Sequence, residues 1–115
     1  MGIQFYSKGN PISKPIRLSR DARNELYSNE NWKDIELSDY EIKDEDGNHI
    51  IDVIILNDHS IRWNLIEGVL VTALSLARAQ NADERPDKAI MEIDYMTQLS
   101  QFLSNLNIDA FTMDG

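Results

Sequence analysis

Two short runs carry residue types that could do chemistry. Asp44-Glu45-Asp46-Gly47-Asn48 sets oxygen donors at alternate positions 44, 46 and 48, as a calcium loop does. An EF-hand loop also wants a glycine at its sixth place and a bidentate acid at its twelfth, and those places hold His49 and Ile55. The run is therefore expected to be a solvated hairpin turn. Glu41-Ile42-Lys43 matches the Glu-x-Lys half of a metal-dependent nuclease site. A nuclease must approach a polyanion, and the charge around this run opposes that. His49 and His59 are the only imidazoles, each with carboxylates close by, Asp46 and Asp52 for one and Asp58 for the other. Either suits a general base or a metal ligand, but no second sequence feature turns it into a site. No serine lies in a nucleophile elbow, and Lys8-Gly9-Asn10-Pro11 is not a phosphate-binding loop. The expectation is a binding module rather than an enzyme, with no catalytic residue, cofactor or metal.

The charge distribution says more than any motif. Ten carboxylates lie between Glu30 and Asp58 against Lys33 and Lys43, a local balance of −8 within a chain of net charge −9. Residues 1–29 are net positive by 3 and residues 59–115 net negative by 4. Such a field speeds encounter with a basic partner and suppresses binding to nucleic acid or an anionic membrane. The expected contact surface is the acidic hairpin region together with Trp32: Asp34, Glu36, Asp39, Glu41, Asp44, Glu45 and Asp46. Trp32 enters because it stands among polar residues with no apolar periodicity around it, whereas Trp63, followed by Leu65 and Ile66, is assigned to the core.

The elements that must position these residues follow from pattern. At 115 residues the chain suits one domain spanning 1–115, and 42% hydrophobic with 27% charged residues is ordinary globular composition. A strand is expected at Ile3 to Ser7, followed by a turn at Lys8-Gly9-Asn10-Pro11. Ser19 can cap a short helix through Tyr27, with Leu18, Ala22 and Leu26 on one side. Alternation from Trp32 to Ile42 suits a half-buried strand region, broken near Ser38-Asp39. Asp46-Gly47 between two such runs predicts a hairpin near 40–56, whose second strand is β-branched nearly throughout and is expected to be central and covered by helices. Asn57, Asp58 and Ser60 can each cap a helix over Ile61 to Ala79, apolar at Leu65, Ile66, Val69, Leu70, Ala73, Leu76 and Ala77 and also at Trp63, Val71 and Leu74. This helix is either central or uses its surplus face for a partner, a second copy included. After a polar connector, Asn81 to Pro86, a second long helix runs from Asp87 to Leu106 with Ile90, Ile93, Met96, Leu99, Leu103 and Leu106 inward. Ile108, Phe111 and Met113 should dock the tail. The fold class is α+β: a small, mainly antiparallel sheet of about three strands covered by two long C-terminal helices and a short N-terminal one.

The opening Gly2-Ile3-Gln4-Phe5-Tyr6-Ser7-Lys8-Gly9-Asn10-Pro11-Ile12 resembles the start of a contact-dependent growth inhibition immunity protein, through its Phe, its Ser-Lys-Gly-x-Pro and the following aliphatic residue. The resemblance covers residues 2–12. It implies tight binding to a cognate toxin domain, with no activity of the chain's own. Competing readings are a nucleic-acid mimic that blocks a DNA-binding or defence protein, a secretion chaperone or adaptor built on the helix 61–79, and a small metal-dependent hydrolase. A mimic would spread acid over most of its surface, which the positive first quarter contradicts. The chain lacks cysteine, an apolar span and the basic-then-apolar opening of a signal peptide, and Tyr6 stands where a myristoylation signal wants Ser or Thr. A cytoplasmic setting is expected.

Overall fold

A computed structural model describes the backbone of residues 2–82 and 86–113, and the side chains of residues 2–79 and 91–113. Its elements are β1 (Ile3–Ser7), β2 (Asn10–Pro11), α1 (Arg20–Ser28), β3 (Ser38–Asp44), β4 (Gly47–Ile55), α2 (His59–Ala82), α3 (Pro86–Ser104) and β5 (Ala110–Met113). The antiparallel sheet runs in the order β2-β1-β5-β4-β3, with a short N-terminal helix and two longer C-terminal helices packed against it. The tail docks as β5, which lies between β1 and β4 and pairs with both.

Local chemistry accounts for most boundaries. The β1–β2 turn has positive φ at both Lys8 (51°) and Gly9 (84°), the sign pattern of a type I′ hairpin turn. Ser19 caps α1 by accepting from the Ala22 N–H at 3.2 Å, and its own hydroxyl donates to buried Glu92 Oε1 at 2.7 Å, so one side chain fixes the start of α1 to α3. The Asp58 side chain accepts from the Ser60 N–H at 2.7 Å at the entrance to α2. Pro86 occupies the first position of α3, where its missing N–H is no loss. Residues 83–85, the middle of the predicted connector, lie outside the described residues.

The core joins Phe5, Leu26, Trp32, Ile54, Leu65, Leu99, Leu103 and Phe111. Phe5 stacks on Phe102 at 4.8 Å between centroids, and Trp32 meets Phe111 at 5.5 Å and 51°. Of the α2 stripe, Leu65, Val69 and Leu76 are buried and Leu70 is exposed. In α3, Met96, Leu99 and Leu103 point inward as expected, but Ile93 is exposed and Leu106 lies exposed beyond the helix. Glu92 takes the inward place that spacing gave to Ile93, because Glu92, Met96, Leu99 and Leu103 share one face at three- and four-residue steps. The side chain of Ile90 is outside the described residues.

Buried Arg62 ties these layers together from the first turn of α2. Its Nη1 donates to the carbonyls of Leu103 and Asn105 at 3.0 Å each, and its Nη2 to Leu56 O at 2.8 Å and to Ile108 O. The carbonyls at the end of α3 have no helical partner of their own, so a guanidinium fork suits them. Burial lowers the Arg62 pKa from its ordinary value, and the charge of Asp109 works in the opposite direction.

Candidate functional site

The predicted hairpin forms with Asp44 opposite Gly47 and only Glu45 and Asp46 between them. The positive φ falls on Gly47 (115°) and not on the two turn residues, so the turn is not of the primed types. Because side chains alternate, the register sorts the hairpin into two faces. Tyr40, Ile42 and Ile51 are half-buried on one. Asp39, Glu41 and Lys43 on β3 and Asn48, Ile50 and Asp52 on β4 are all exposed on the other.

That exposed face has a distinct composition. Asp39 stands directly opposite Asp52, and Glu41 opposite Ile50. Ile50 is 64% exposed at the centre of the face. Like charges facing each other across a ladder destabilise a sheet, so the fold gains nothing from this arrangement. An apolar centre ringed by charge is the anatomy of a contact surface.

The sequence-predicted site residues separate into groups. Asp39 and Glu41 lie on the exposed face, and Asp44, Glu45 and Asp46 form the turn at its tip. Asp34, with φ 60°, and Glu36 are exposed in the loop before β3. Glu36 lines a cavity of about 430 Å³ at the hairpin base, with Ile35, Ser38, Ile61 and Asn64. Trp32 does not belong to the surface, being only 1% exposed with its Nε1 donating to Leu65 O at 2.9 Å. The indole fits because α2 carries Gly68 beneath it: a Cβ there would come within 2.5 Å of Trp32 Cδ1. Trp63, assigned to the core from sequence, is 67% exposed instead. It shares an outward stripe of α2 with Leu70 and Leu74, opposite the buried Leu65, Val69 and Leu76. The expectation of a central second strand holds in the sheet order, where β4 lies between β5 and β3, but the expected helix cover needs correction. Val53 and Ile54 are buried, but Gly47 to Asp52 are exposed apart from half-buried Ile51.

Sequence reasoning missed Ile50 and Asp52 as surface residues. The two-residue turn would have found them, since counting back from Asp44 opposite Gly47 sets Ile50 beside Glu41 and Asp52 beside Asp39.

A polar cluster anchors the hairpin. The Tyr40 hydroxyl donates to Asp109 Oδ1 at 2.7 Å and accepts from the Gly9 N–H at 2.8 Å, while the Lys8 N–H donates to Asp109 Oδ2 at 3.2 Å. The Lys43 N–H donates to Gly9 O at 3.1 Å, so the β1–β2 turn rests on the outer edge of β3. Burial first, and then the hydrogen bond to the Asp109 carboxylate, push the Tyr40 pKa up to about 12, and burial raises that of Tyr6 as well.

The motifs with chemical content are engaged locally. Asp44 accepts from the Asp46 N–H at 2.8 Å and meets His49 Nε2 at 2.9 Å. His59 is exposed at the start of α2. Among the described residues no three His, Cys, Asp or Glu side chains converge as a metal site, and no helix is long and apolar enough to cross a membrane. Compared with protein-family models, with curated proteins and with solved structures, the chain matches none of them.

Proposed function

We infer that this chain is a protein-binding module that docks a basic protein on the acidic face of its β3–β4 hairpin, and that it acts as an immunity protein neutralising a cognate, nuclease-type toxin domain. One observation carries the reading. An exposed sheet face keeps Asp39 opposite Asp52, with Glu41 and Ile50 beside them, at the expense of stability. Carboxylates so placed attract a basic surface over distance, and Ile50 offers an apolar point to bury once contact is made. The resemblance of residues 2–12 to immunity proteins gives the partner its class.

The test is capture of partners from the source cell's lysate at low and at high salt, followed by activity assay of the bound species. Retention at low salt of one dominant basic protein, whose nuclease activity falls when this chain is added, supports the reading. Capture of a DNA-binding or defence protein would replace it with the mimic. Reversal of Glu41, Asp44 and Asp46 to lysine should slow association with the captured protein and flatten its salt dependence. Unchanged kinetics would remove the hairpin from the interface.

The exposed stripe of Trp63, Leu70 and Leu74 favours a second reading, an adaptor that pairs α2 with a second copy or a partner helix. Its signature is a solution mass that rises with concentration and returns to that of the monomer in Trp63→Glu.

A further inference from the structure

The hairpin has two outer edges, and among the described residues one is met by the β1–β2 turn while the other is paired only at its end. On the β3 side, the Lys43 N–H reaches Gly9 O, so the β1–β2 turn covers that edge. On the β4 side the neighbour is β5, but its pairing covers only Ile54 with Phe111 and Ile55 with Ala110. From Gly47 to Asp52, no described strand is paired with β4 on the side away from β3.

The main-chain groups on this edge can be identified in two independent ways. In an antiparallel ladder, residues alternate between pairs bonded to each other and pairs whose N–H and C=O groups point away. The outward Lys43 N–H makes Lys43 and Asn48 a pair of the second kind, and Glu41 with Ile50 and Asp39 with Asp52 then follow. From the other end, the Leu56 N–H donates to Asp109 O at 2.8 Å, so even-numbered residues of this strand turn toward the β5 side. Both routes give Asn48, Ile50 and Asp52. All three are exposed.

We propose that the open edge of β4, through the main-chain groups of Asn48, Ile50 and Asp52, is a docking site for an extended basic segment of a partner protein, which adds a strand in line with β5. The proposal rests on the protein-binding reading above and specifies its geometry. Charge selects the occupant: a second copy would bring together two segments of local charge −8, whereas a lysine- or arginine-bearing strand would set its cations beside Asp52 and near Asp39 and Glu41. Natural sheets blunt open edges with lysine, proline or a covering element. Among the described residues no lysine, proline or covering element lies on Asn48, Ile50 or Asp52, the one charge there, on Asp52, attracts a basic strand, and both neighbouring faces carry apolar side chains, Ile50 and Ile51, for an added strand to pack on.

The experiment titrates the protein with an end-capped peptide of alternating lysine and valine, and with the same peptide N-methylated at alternate backbone amides, while amide exchange is followed residue by residue. Strand addition protects the amides of Asn48, Ile50 and Asp52, and N-methylation, which leaves the charge intact, weakens binding by about tenfold or more. The variant Ile50→Pro should abolish peptide binding while melting close to the parent, since position 50 donates nothing to β3 and proline is tolerated on such an edge. Equal affinity of the two peptides would overturn the edge while leaving the acidic face as a charge-only contact. Protection elsewhere, binding of neither peptide, or self-association abolished by Ile50→Pro would overturn it too. In each of those cases the lysine-reversal kinetics with the captured partner still decide the broader reading separately.

Discussion

The Tyr40 hydroxyl lies 2.7 Å from Asp109 Oδ1, which joins the exposed hairpin to the residue that leads into the central strand β5. The bond requires a neutral phenol. Tyr40 has its pKa raised from 10.0 to about 12 in the folded chain, so its contribution is fully present below pH 10 and is lost as pH rises from 10 to about 12. Thermal melts between pH 9 and pH 12 should therefore fall steeply for the parent. In Tyr40→Phe they should start lower, by about 1 kcal/mol, and fall less steeply. The residual slope reflects other tyrosines, Tyr6 among them, whose pKa burial also raises. Parallel curves would detach Tyr40 from the alkaline transition.

Gly68 is the seat of the Trp32 indole, so Gly68→Ala sets two effects against each other. Alanine in a helix interior is favoured over glycine by about 1 kcal/mol. Its Cβ would stand 2.5 Å from Trp32 Cδ1 and 2.8 Å from Asn29 Oδ1, and displacing a packed indole costs about 1–3 kcal/mol. The clash should win, giving net destabilisation with altered near-UV ellipticity from Trp32. Urea unfolding of the two proteins measures the difference.

Replacing Arg62 separates charge from shape. Its fork serves the carbonyls of Leu56, Leu103, Asn105 and Ile108 together. Lysine keeps the charge but brings three donors from a single nitrogen, which cannot span that set. Arg62→Lys should lose about 2 kcal/mol, and Arg62→Leu, which removes the donor from all four and leaves Asn105 O only its bond from the Ile108 N–H, about 3 kcal/mol or more. Equal stability of the lysine variant and the parent would show that charge alone suffices.

The opposed carboxylates of the hairpin give a prediction of the other sign. Asp39→Asn removes the charge repulsion with Asp52 and should raise stability by about 0.5 kcal/mol, less at high salt because both groups are exposed. The same change should weaken partner binding. Urea unfolding at two ionic strengths, beside affinity for the captured protein, tests for that trade.

What could be read from sequence depended on how local the signal was. The hairpin, α1 and the two long helices were legible because alternation, a serine cap, an Asp-Gly turn and helical spacing are all written within a few residues. β5 was seen only as a docking tail, since Ala110–Met113 is too short to show a period and owes its conformation to strands more than fifty residues away. The two tryptophans exchanged places for a similar reason. Polar neighbours made Trp32 look exposed, while its pocket is supplied by Gly68 from another element. A glycine in the middle of a helix was the available clue, because such a residue usually has a packing reason. Trp63 was misplaced because α2 is apolar nearly all round, which leaves spacing unable to tell inside from outside. Of the candidate site, the acids were legible and their grouping was not. Ile50 was hidden in a β-branched run that reads as core.

The position of β5 sets an order of events in the making of this protein. Among the described residues β1 and β4 are joined through the strand at residues 110–113, so the ladder that links them can close only after the ribosome has released that segment. The hairpin and the α2–α3 pair are local and can form early, but Tyr40 and Arg62 find Asp109 and Ile108 only once those residues have emerged. A nascent chain therefore carries its acidic face before that face has a fixed support. If the proposed partner is met during synthesis, first capture falls to the unanchored hairpin, and tight docking waits for the pairing of β5.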